Sequence, residues 1–218
     1  MKKHTAVFFD LDGTITDSSV GITKSVAYAL KKRGYGEVNP AALTHFIGPP
    51  LREQFMAHCG VDEAEGAALV TAYREYYTTK GILECSVYEG IPELLRQLAD
   101  AGPRLFVATS KPEVFARQIL EHFDLARYFE YIGGANLDNT RTSKSEVIAY
   151  VAEYAEIRDI RTAVMVGDCT HDVIGAAKLG MDAIAVSYGF GKLAELQQSK
   201  PLCICGTPHE VGEYLLNG

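Results

Sequence analysis

The sequence predicts an α/β fold in which helices cover a parallel sheet and one block of helices interrupts the chain. Two observations lead to this prediction. Short apolar runs alternate with amphipathic stretches along most of the chain, which is typical of a parallel sheet with helices on both faces. In the stretch 17–87, however, several helical patterns occur without a convincing strand. We therefore expect a three-layer, Rossmann-like core from residues 1–16 and 88–218, with an inserted all-helical cap domain at residues 17–87.

Five apolar runs predict the strands of the sheet. In chain order they are Ala6–Phe9, Leu105–Ala108, Tyr131–Ile132, Ala163–Val166 and Ala183–Val186. Residues 22–30 and 62–80 predict helices of the cap, with Gly34 ending the first, and residues 91–98 predict a helix of the core. Ligands of parallel sheets bind beyond the carboxyl ends of the strands, so functional residues are expected directly after each run.

Length, composition and charge narrow the class of protein. The 218 residues have room for one domain with a smaller insertion, and 47% hydrophobic residues exclude a disordered chain. The 21 basic and 28 acidic residues sum to −7, so we expect neither a nucleic acid nor an anionic membrane as a partner. A small phosphorylated molecule remains compatible, because local charges and a metal ion override the net charge. Nothing in the sequence indicates the oligomeric state.

The N-terminus and the cysteines indicate a cytoplasmic protein. The apolar run Ala6–Phe9 is too short for the core of a signal peptide, and no stretch has the length of a transmembrane helix. The five cysteines are odd in number and scattered, which favours reduced thiols over a disulfide framework. Cys203 and Cys205 form a lone pair, for which ordinary thiols are a better interpretation than a zinc site.

Two acidic residues follow the first predicted strand. Strand alternation puts Asp10 and Asp12 on the same side, and Gly13 allows the chain to turn. Two carboxylates so close together share a site only with a cation present or with one of them protonated. Mg²⁺ prefers oxygen ligands of this kind, whereas the alternative interpretation is an ordinary Asp-Gly turn.

Hydroxyl groups follow the second predicted strand. Ser110 and Glu113 have the spacing of a capping box, with Pro112 in the first helical turn. A cap at Ser110 would leave the Thr109 hydroxyl free beside a positive helix N-terminus, which is a ready anion site. A helix cap without a ligand is the alternative interpretation.

Lys144 occupies an electrostatically unfavourable position. Ser143 and Glu146 have the spacing of a second capping box, which puts Lys144 in the first helical turn, where anions are preferred. A carboxylate such as that of Asp10, or a bound phosphate, would compensate its charge. A solvated surface lysine is the alternative interpretation.

A second acid pair follows the strand predicted at Ala163–Val166. Asp172 could cap the helix predicted over residues 173–180, but Asp168 lies too early for that and is available for a metal ion. We expect His171 to be a solvated side chain rather than a catalytic group. An acid pair, a hydroxyl group, a lysine and a second acid pair thus converge on one edge of one sheet.

These motifs resemble those of the haloacid dehalogenase superfamily, in its large phosphatase branch. The resemblance covers essentially the whole chain and is carried in order by Phe8–Thr14, Thr109–Lys111, Lys144, Gly167-Asp168 and Asp172. Within the branch the chain is similar to phosphoglycolate phosphatases, inorganic pyrophosphatases and 5′-nucleotidases that carry a helical cap after the first motif.

The resemblance implies a Mg²⁺-dependent phosphatase. It implies Asp10 as the nucleophile that forms an aspartyl-phosphate, and Asp12 as the general acid and base. It also implies that the Asp10 carboxylate, the Asp12 carbonyl and Asp168 hold Mg²⁺, while Asp172 orients them.

The same resemblance implies which groups bind a small phosphorylated metabolite. Thr109, Ser110 and Lys144 would hold the transferring phosphoryl oxygens. The cap helices would close over the site and select the substrate, and Arg52 is the candidate for an anionic substrate group. A solvated helix arginine is the alternative interpretation of Arg52.

Two alternative functions stay open from the sequence. A sugar phosphomutase uses the same aspartyl-phosphate but returns the phosphate to its substrate. A phospho-accepting signalling module also has an acidic pocket, although the helical block and Asp12 argue against it. A dinucleotide-binding protein is disfavoured, because no glycine-rich fingerprint follows the first strand.

Overall fold

The computed structural model describes residues 4–137 and 140–217. The chain divides into two compact units, Met1–Thr16 with Val87–Gly218 and, separately, Asp17–Ser86. We call the first the core unit and the second the cap unit, and their roles as catalytic core and cap stay a prediction. Within the described residues, no helix combines the length and the apolar character needed to cross a membrane.

Strands and helices alternate along the chain. The strands are β1 (Ala6–Phe9), β2 (Thr16–Asp17), β3 (Ser86–Val87), β4 (Arg104–Pro112), β5 (Tyr131–Ala135), β6 (Ala163–Gly167), β7 (Asp182–Val186) and β8 (Cys203–Cys205). The helices are α1 (Ser19–Lys32), α2 (Leu51–Cys59), α3 (Glu63–Tyr77), α4 (Ile91–Ala101), α5 (Glu113–His122), α6 (Lys144–Tyr154), α7 (Thr170–Lys178), α8 (Leu193–Gln198) and α9 (Pro208–Asn217).

The core unit is built on a parallel sheet. Its described strands run in the order β5-β4-β1-β6-β7-β8, and each adjacent pair is parallel. All five predicted strands lie in this sheet, and the predicted α/β fold is confirmed. β8 is not predicted from the sequence, because three residues with a cysteine at each end do not form a recognisable apolar run.

Buried side chains hold neighbouring strands in register. Phe8 lies opposite Phe106 on one side and Met165 on the other. All three belong to one apolar cluster that also contains Val147 and Val151 of α6. Because this register is fixed by burial, β1, β4 and β6 end at the same edge of the sheet.

Two helices of the core unit test the predicted helical patterns. The apolar residues predicted at 91–98 are buried along α4, as expected. The helix predicted over residues 173–180 begins earlier, at Thr170, so its predicted start is wrong. The reason is that Asp172 accepts a hydrogen bond from the Cys169 backbone N–H (3.0 Å) and thereby stabilises an additional turn.

The cap unit is mainly helical. α1 packs against α3, and α2 packs against α3 as well. α1 ends just before Gly34, whose φ of +88° is typical of a glycine that follows a helix. The predicted absence of strands between residues 17 and 87 is wrong at its two ends, where the short strands β2 and β3 lie.

Candidate active site

β1 brings the first acid to the middle of the sheet edge. β1 lies between β4 and β6, and the Asp10 backbone N–H donates to the Val166 carbonyl of β6 (2.9 Å). Asp10 is the first residue beyond the strand, and it is buried. Its carboxylate therefore lies where side chains from several strand ends can meet it.

Gly13 shapes the turn that follows Asp12. Its φ is +85°, a conformation that favours glycine. A Cβ atom at this position would lie 2.2 Å from Oδ2 of Asp168. The turn after β1 therefore packs directly on the acid that follows β6, and only glycine leaves room for it.

Lys144 lies at the centre of the site. Its side chain is 4% exposed, and Nζ lies 2.8 Å from Oδ1 of Asp10 and 2.8 Å from Oδ1 of Asp172. Nζ also donates to the carbonyl of Ala108 within β4 (3.1 Å). Gly175 gives room for the lysine, because a Cβ there would lie 2.9 Å from Cβ of Lys144. One ammonium group thus links β4 with residues that follow β1 and β6.

The neighbours of Lys144 keep it charged. The predicted capping box of Ser143 and Glu146 is present and puts Lys144 at the start of α6. Burial alone would lower the pKa of Lys144, but the charges of Asp10 and Asp172 outweigh burial and raise it. These two carboxylates are the negative groups that the position of the lysine requires.

Asp168 is buried among other acids. Its Oδ2 accepts a hydrogen bond from the Phe190 backbone N–H (2.7 Å), and the Cys169 thiol lies 3.6 Å from the same oxygen. Burial, and then the charges of Asp172 and Asp10, raises the pKa of Asp168 to about 7. Burial also raises the pKa of Asp172 to about 6, although Lys144 acts in the opposite direction. The site therefore holds more negative charge than Lys144 alone compensates.

The donor atoms fit a hard divalent cation. Ligand atoms of Asp168, Cys169 and Asp172 lie within 4.8 Å of one another. Burial raises the pKa of the Cys169 thiol, so it is protonated and is a poor ligand. Both oxygens of Asp172 are engaged, Oδ1 by Lys144 and Oδ2 by the Cys169 N–H. Lys144 contacts Oδ1 of Asp10, so Asp168 and Oδ2 of Asp10 are the groups we consider available to a cation. A cation bound to oxygen ligands would relieve the repulsion between them.

The strand after Ala108 differs from its prediction. β4 continues to Pro112, and Pro112 precedes α5 without a side-chain capping hydrogen bond. The predicted capping box at Ser110 is therefore wrong, and Ser110 is exposed. Thr109 is buried, and its Oγ1 accepts a hydrogen bond from the Lys111 backbone N–H (3.2 Å). The hydroxyl hydrogen of Thr109 remains able to donate to an anion.

Lys111 receives no role in the sequence analysis, yet it contacts an assigned acid. Its Nζ lies 2.8 Å from Oδ2 of Asp12, and its side chain is 6% exposed. The other oxygen of Asp12, Oδ1, is buried and makes no hydrogen bond within the part of the chain that the structure describes. Asp12 and Asp10 are therefore each paired with a different lysine.

The loop after β7 also supports the site. The Tyr188 hydroxyl donates to the Thr14 carbonyl (3.0 Å), and the Phe190 N–H binds Asp168 as described above. Gly189 lies against the first turn, since a Cβ there would be 2.2 Å from the Gly13 carbonyl oxygen. The segment Tyr188–Gly191 is recognisable in the sequence, but a backbone donor leaves no signal of its own.

The two remaining candidate residues are Arg52 and His171. Arg52, on α2 of the cap unit, donates to Oε1 of Glu63 (2.8 Å). His171 is exposed on α7, in agreement with the expectation that it is a solvated side chain.

This chain is similar to known proteins in both sequence and structure. Residues 7–186 match the family model of haloacid dehalogenase-like hydrolases. A 5′-nucleotidase from Pseudomonas aeruginosa is 45% identical over 203 residues, which cover 93% of this chain and 91% of that protein. A predicted phosphatase from Clostridium acetobutylicum has a crystal structure that superposes with a TM-score of 0.94 at 44% identity, covering 99% of this chain and 100% of that one.

A relative with a different name is also similar. The tyrosine-protein kinase PtkA from Mycobacterium tuberculosis is 44% identical over 187 residues, which cover 85% of this chain but 63% of that protein. Since the family match extends over most of the chain and over all four strand-end motifs, the chain belongs to the haloacid dehalogenase-like hydrolase family and is a phosphatase-type hydrolase.

Proposed function

We propose that the chain is a Mg²⁺-dependent phosphatase that hydrolyses small phosphomonoesters through an aspartyl-phosphate on Asp10. The observation that supports this most strongly is the buried Lys144, which lies 2.8 Å from both Asp10 and Asp172. Asp168 lies near enough to both acids for their charges to raise its pKa. A phosphoryl group needs positive charge around its oxygens and an oxygen nucleophile beside it, and this arrangement offers both.

In the first step Asp10 forms a bond to phosphorus and the bond from phosphorus to the leaving oxygen breaks. Lys144 fixes one oxygen of Asp10, so the carboxylate is oriented before the substrate arrives. Asp12 gives its proton to the leaving oxygen, and the alcohol departs neutral.

In the second step water attacks the aspartyl-phosphate. Asp12, now ionised, accepts the proton of that water, and the bond between phosphorus and Asp10 breaks to release phosphate. The Thr109 hydroxyl and Lys144 would stabilise the phosphoryl oxygens in both steps. Ser110 is exposed, so any contact it makes to phosphate is peripheral to these two groups.

The Asp10 carboxylate, the Asp12 carbonyl and Asp168 would hold Mg²⁺, with Asp172 orienting the set through Lys144. When bound, the ion supplies positive charge that offsets the repulsion between the phosphoryl group and the acids. Asp168 suits this role because the Phe190 N–H fixes one of its oxygens, and because a cation would offset the burial and the neighbouring charges of Asp172 and Asp10 that raise its pKa.

The names of two relatives support a proposal for the substrate class. A relative with 45% identity is named 5′-nucleotidase, and another with 28% identity over 91% of this chain is named phosphoglycolate phosphatase 1. We therefore propose nucleoside monophosphates first and phosphoglycolate second. The five free cysteines agree with action in the cytoplasm.

The test measures Mg²⁺-dependent phosphate release from nucleoside monophosphates, phosphoglycolate, pyrophosphate and sugar phosphates, compared by kcat/KM. Asp10→Asn should lower kcat by about 10⁴-fold or more, because an amide cannot form the acyl phosphate. Asp100→Asn is the matched control, since Asp100 is an exposed residue of α4. Wild-type turnover by Asp10→Asn would show that Asp10 is not the nucleophile.

A further inference from the structure

We propose that Lys111 positions Asp12 so that Oδ1 is the atom that gives and takes the proton. The inference rests on the proposed function, because it concerns the general acid of that reaction. In the first step the proton moves from Oδ1 of Asp12 to the leaving oxygen. In the second step the proton of the attacking water moves to Oδ1, so Asp12 ends each cycle as it began.

The contacts of Asp12 distinguish its two oxygens. Oδ2 lies 2.8 Å from Nζ of Lys111, whereas Oδ1 is buried and makes no hydrogen bond to any of the described residues. The Asp12 side chain as a whole is 16% exposed, although Oδ1 itself is buried. A buried carboxylate oxygen without a partner is unfavourable unless a ligand completes it, and the oxygen held by the ammonium group is the less available base.

The backbone fixes Lys111 in place. The Lys111 backbone N–H donates to Oγ1 of Thr109, which is the residue predicted to bind the phosphoryl group. The register between β4 and β5 shifts between Thr109 and Pro112, so Lys111 leaves the regular ladder. Gly134 of β5 accommodates this bulge, because a Cβ there would lie 2.4 Å from the Lys111 carbonyl oxygen. Because these contacts hold the Lys111 backbone in place, its side chain loses little further conformational freedom when it binds Asp12.

The two lysines divide the acids between them. Lys144 contacts Asp10 and Asp172, and Lys111 contacts Asp12. Removing Lys111 would therefore let the Asp12 carboxylate rotate while the contact between Lys144 and Asp10 remains. Because a proton-transfer group must be held close to its productive geometry, such rotation should slow only the reactions that need the proton.

The experiment compares aryl phosphates whose leaving groups differ in pKa, with Mg²⁺ present. Lys111→Met should lower kcat/KM about 100-fold for phenyl phosphate, which needs a proton on the leaving oxygen. For 2,4-dinitrophenyl phosphate, whose leaving group departs without a proton, the loss should be about threefold or less. Lys111→Arg should recover much of the activity, since a guanidinium group also binds a carboxylate. Lys192→Met is the control, because Lys192 is exposed and pairs with Glu195 on the surface.

Two further variants keep the test decisive. In an Asp12→Asn background, adding Lys111→Met should cause no further loss, because the group it positions is gone. If Lys111→Met fails to fold, Lys111→Gln takes its place in the same series, with the same dependence expected.

The inference is overturned if Lys111→Met matches the wild type, or if the loss is equal for all leaving groups. In either case wild type and Lys192→Met would still release phosphate, and the proposed function would stand. If wild type releases phosphate from none of the esters, the proposed function fails and the inference fails with it.

Discussion

The strand ends of the core unit and the surface of the cap unit hold charged side chains in opposite ways. At the strand ends of the core unit, Lys144, Asp168 and Asp172 are almost completely buried and contact or repel one another. In the cap unit, Lys24 pairs with Glu84 at the surface, where the side chains are 43% and 29% exposed. The same kinds of group are therefore desolvated in one unit and hydrated in the other.

This difference indicates where functional residues lower the stability of the chain. Burying a charge is unfavourable even when it is paired, whereas an exposed pair contributes little in either direction. Stability alone does not explain why Asp168 and Asp172 are both buried close to each other. The buried charges at the strand ends of the core unit are thus evidence of chemistry, and those of the cap unit are consistent with a solvated helical surface.

The largest expected effect on stability comes from Lys144→Met. Removal of the ammonium group leaves Asp10 and Asp172 buried without a cation, so the free energy of unfolding should fall by about 3–5 kcal/mol. Urea unfolding in EDTA measures this loss. The counterpart in the cap unit is Lys24→Met, for which no resolvable change is expected. Equal losses in the two variants would remove the distinction between the units.

Glycine substitutions give the next largest effect. Gly13→Ala adds a Cβ that would lie 2.2 Å from the Asp168 carboxylate at a φ of +85°, so a loss of about 2–4 kcal/mol is expected, together with most of the activity. Gly60 of the cap unit has a φ of +67° but no atom within 4 Å of such a Cβ. Gly60→Ala should therefore cost about 1 kcal/mol and leave kcat unchanged. Thermal unfolding and phosphate release, measured on both variants, test this order.

Binding of Mg²⁺ to the acids of the core unit should also change the stability of the protein. At a concentration about 100 times Kd, Mg²⁺ should stabilise the protein by about 2.7 kcal/mol, and EDTA should reverse the effect. Asp168→Asn should abolish this stabilisation while raising the stability of the metal-free protein, because it removes one of the crowded buried carboxylates. Glu63→Gln, in the cap unit, should keep the full response. A Mg²⁺ shift that survives in Asp168→Asn would show that the ion binds elsewhere.

The sequence carries enough information to predict the fold and the position of Lys144. Apolar runs are local signals, and burial in a parallel sheet converts them directly into strands. Lys144 is detectable because a lysine in the first turn of a helix conflicts with the helix dipole, and the conflict requires a negative neighbour. The structure supplies Asp10 and Asp172 at that place.

Other parts of the site depend on contacts that the local sequence does not specify. The capping box expected at Ser110 has the correct spacing, but pairing of β4 with β5 through Pro112 overrides it. The contact of Lys111 with Asp12 depends on that longer strand and on Gly134, which accommodates it. Backbone donors such as the Phe190 N–H cannot be predicted from the residue type.

The smallest expected effect on stability concerns Arg52, and it tests whether the cap unit contributes to binding at all. The Arg52 and Glu63 side chains are 45% and 73% exposed, so Arg52→Met should leave the free energy of unfolding unchanged within error. If Arg52 binds an anionic substrate group, Arg52→Met should raise KM about tenfold for phosphoglycolate, whose carboxylate is a second anion, without changing kcat. Phenyl phosphate lacks that group and should show no change. Glu63→Gln is the matched control, because it breaks the same ion pair but keeps the arginine, so KM should not rise. A rise in KM with Glu63→Gln, or equal effects on both substrates, would make Arg52 a surface residue of the cap unit and leave substrate selection to other residues.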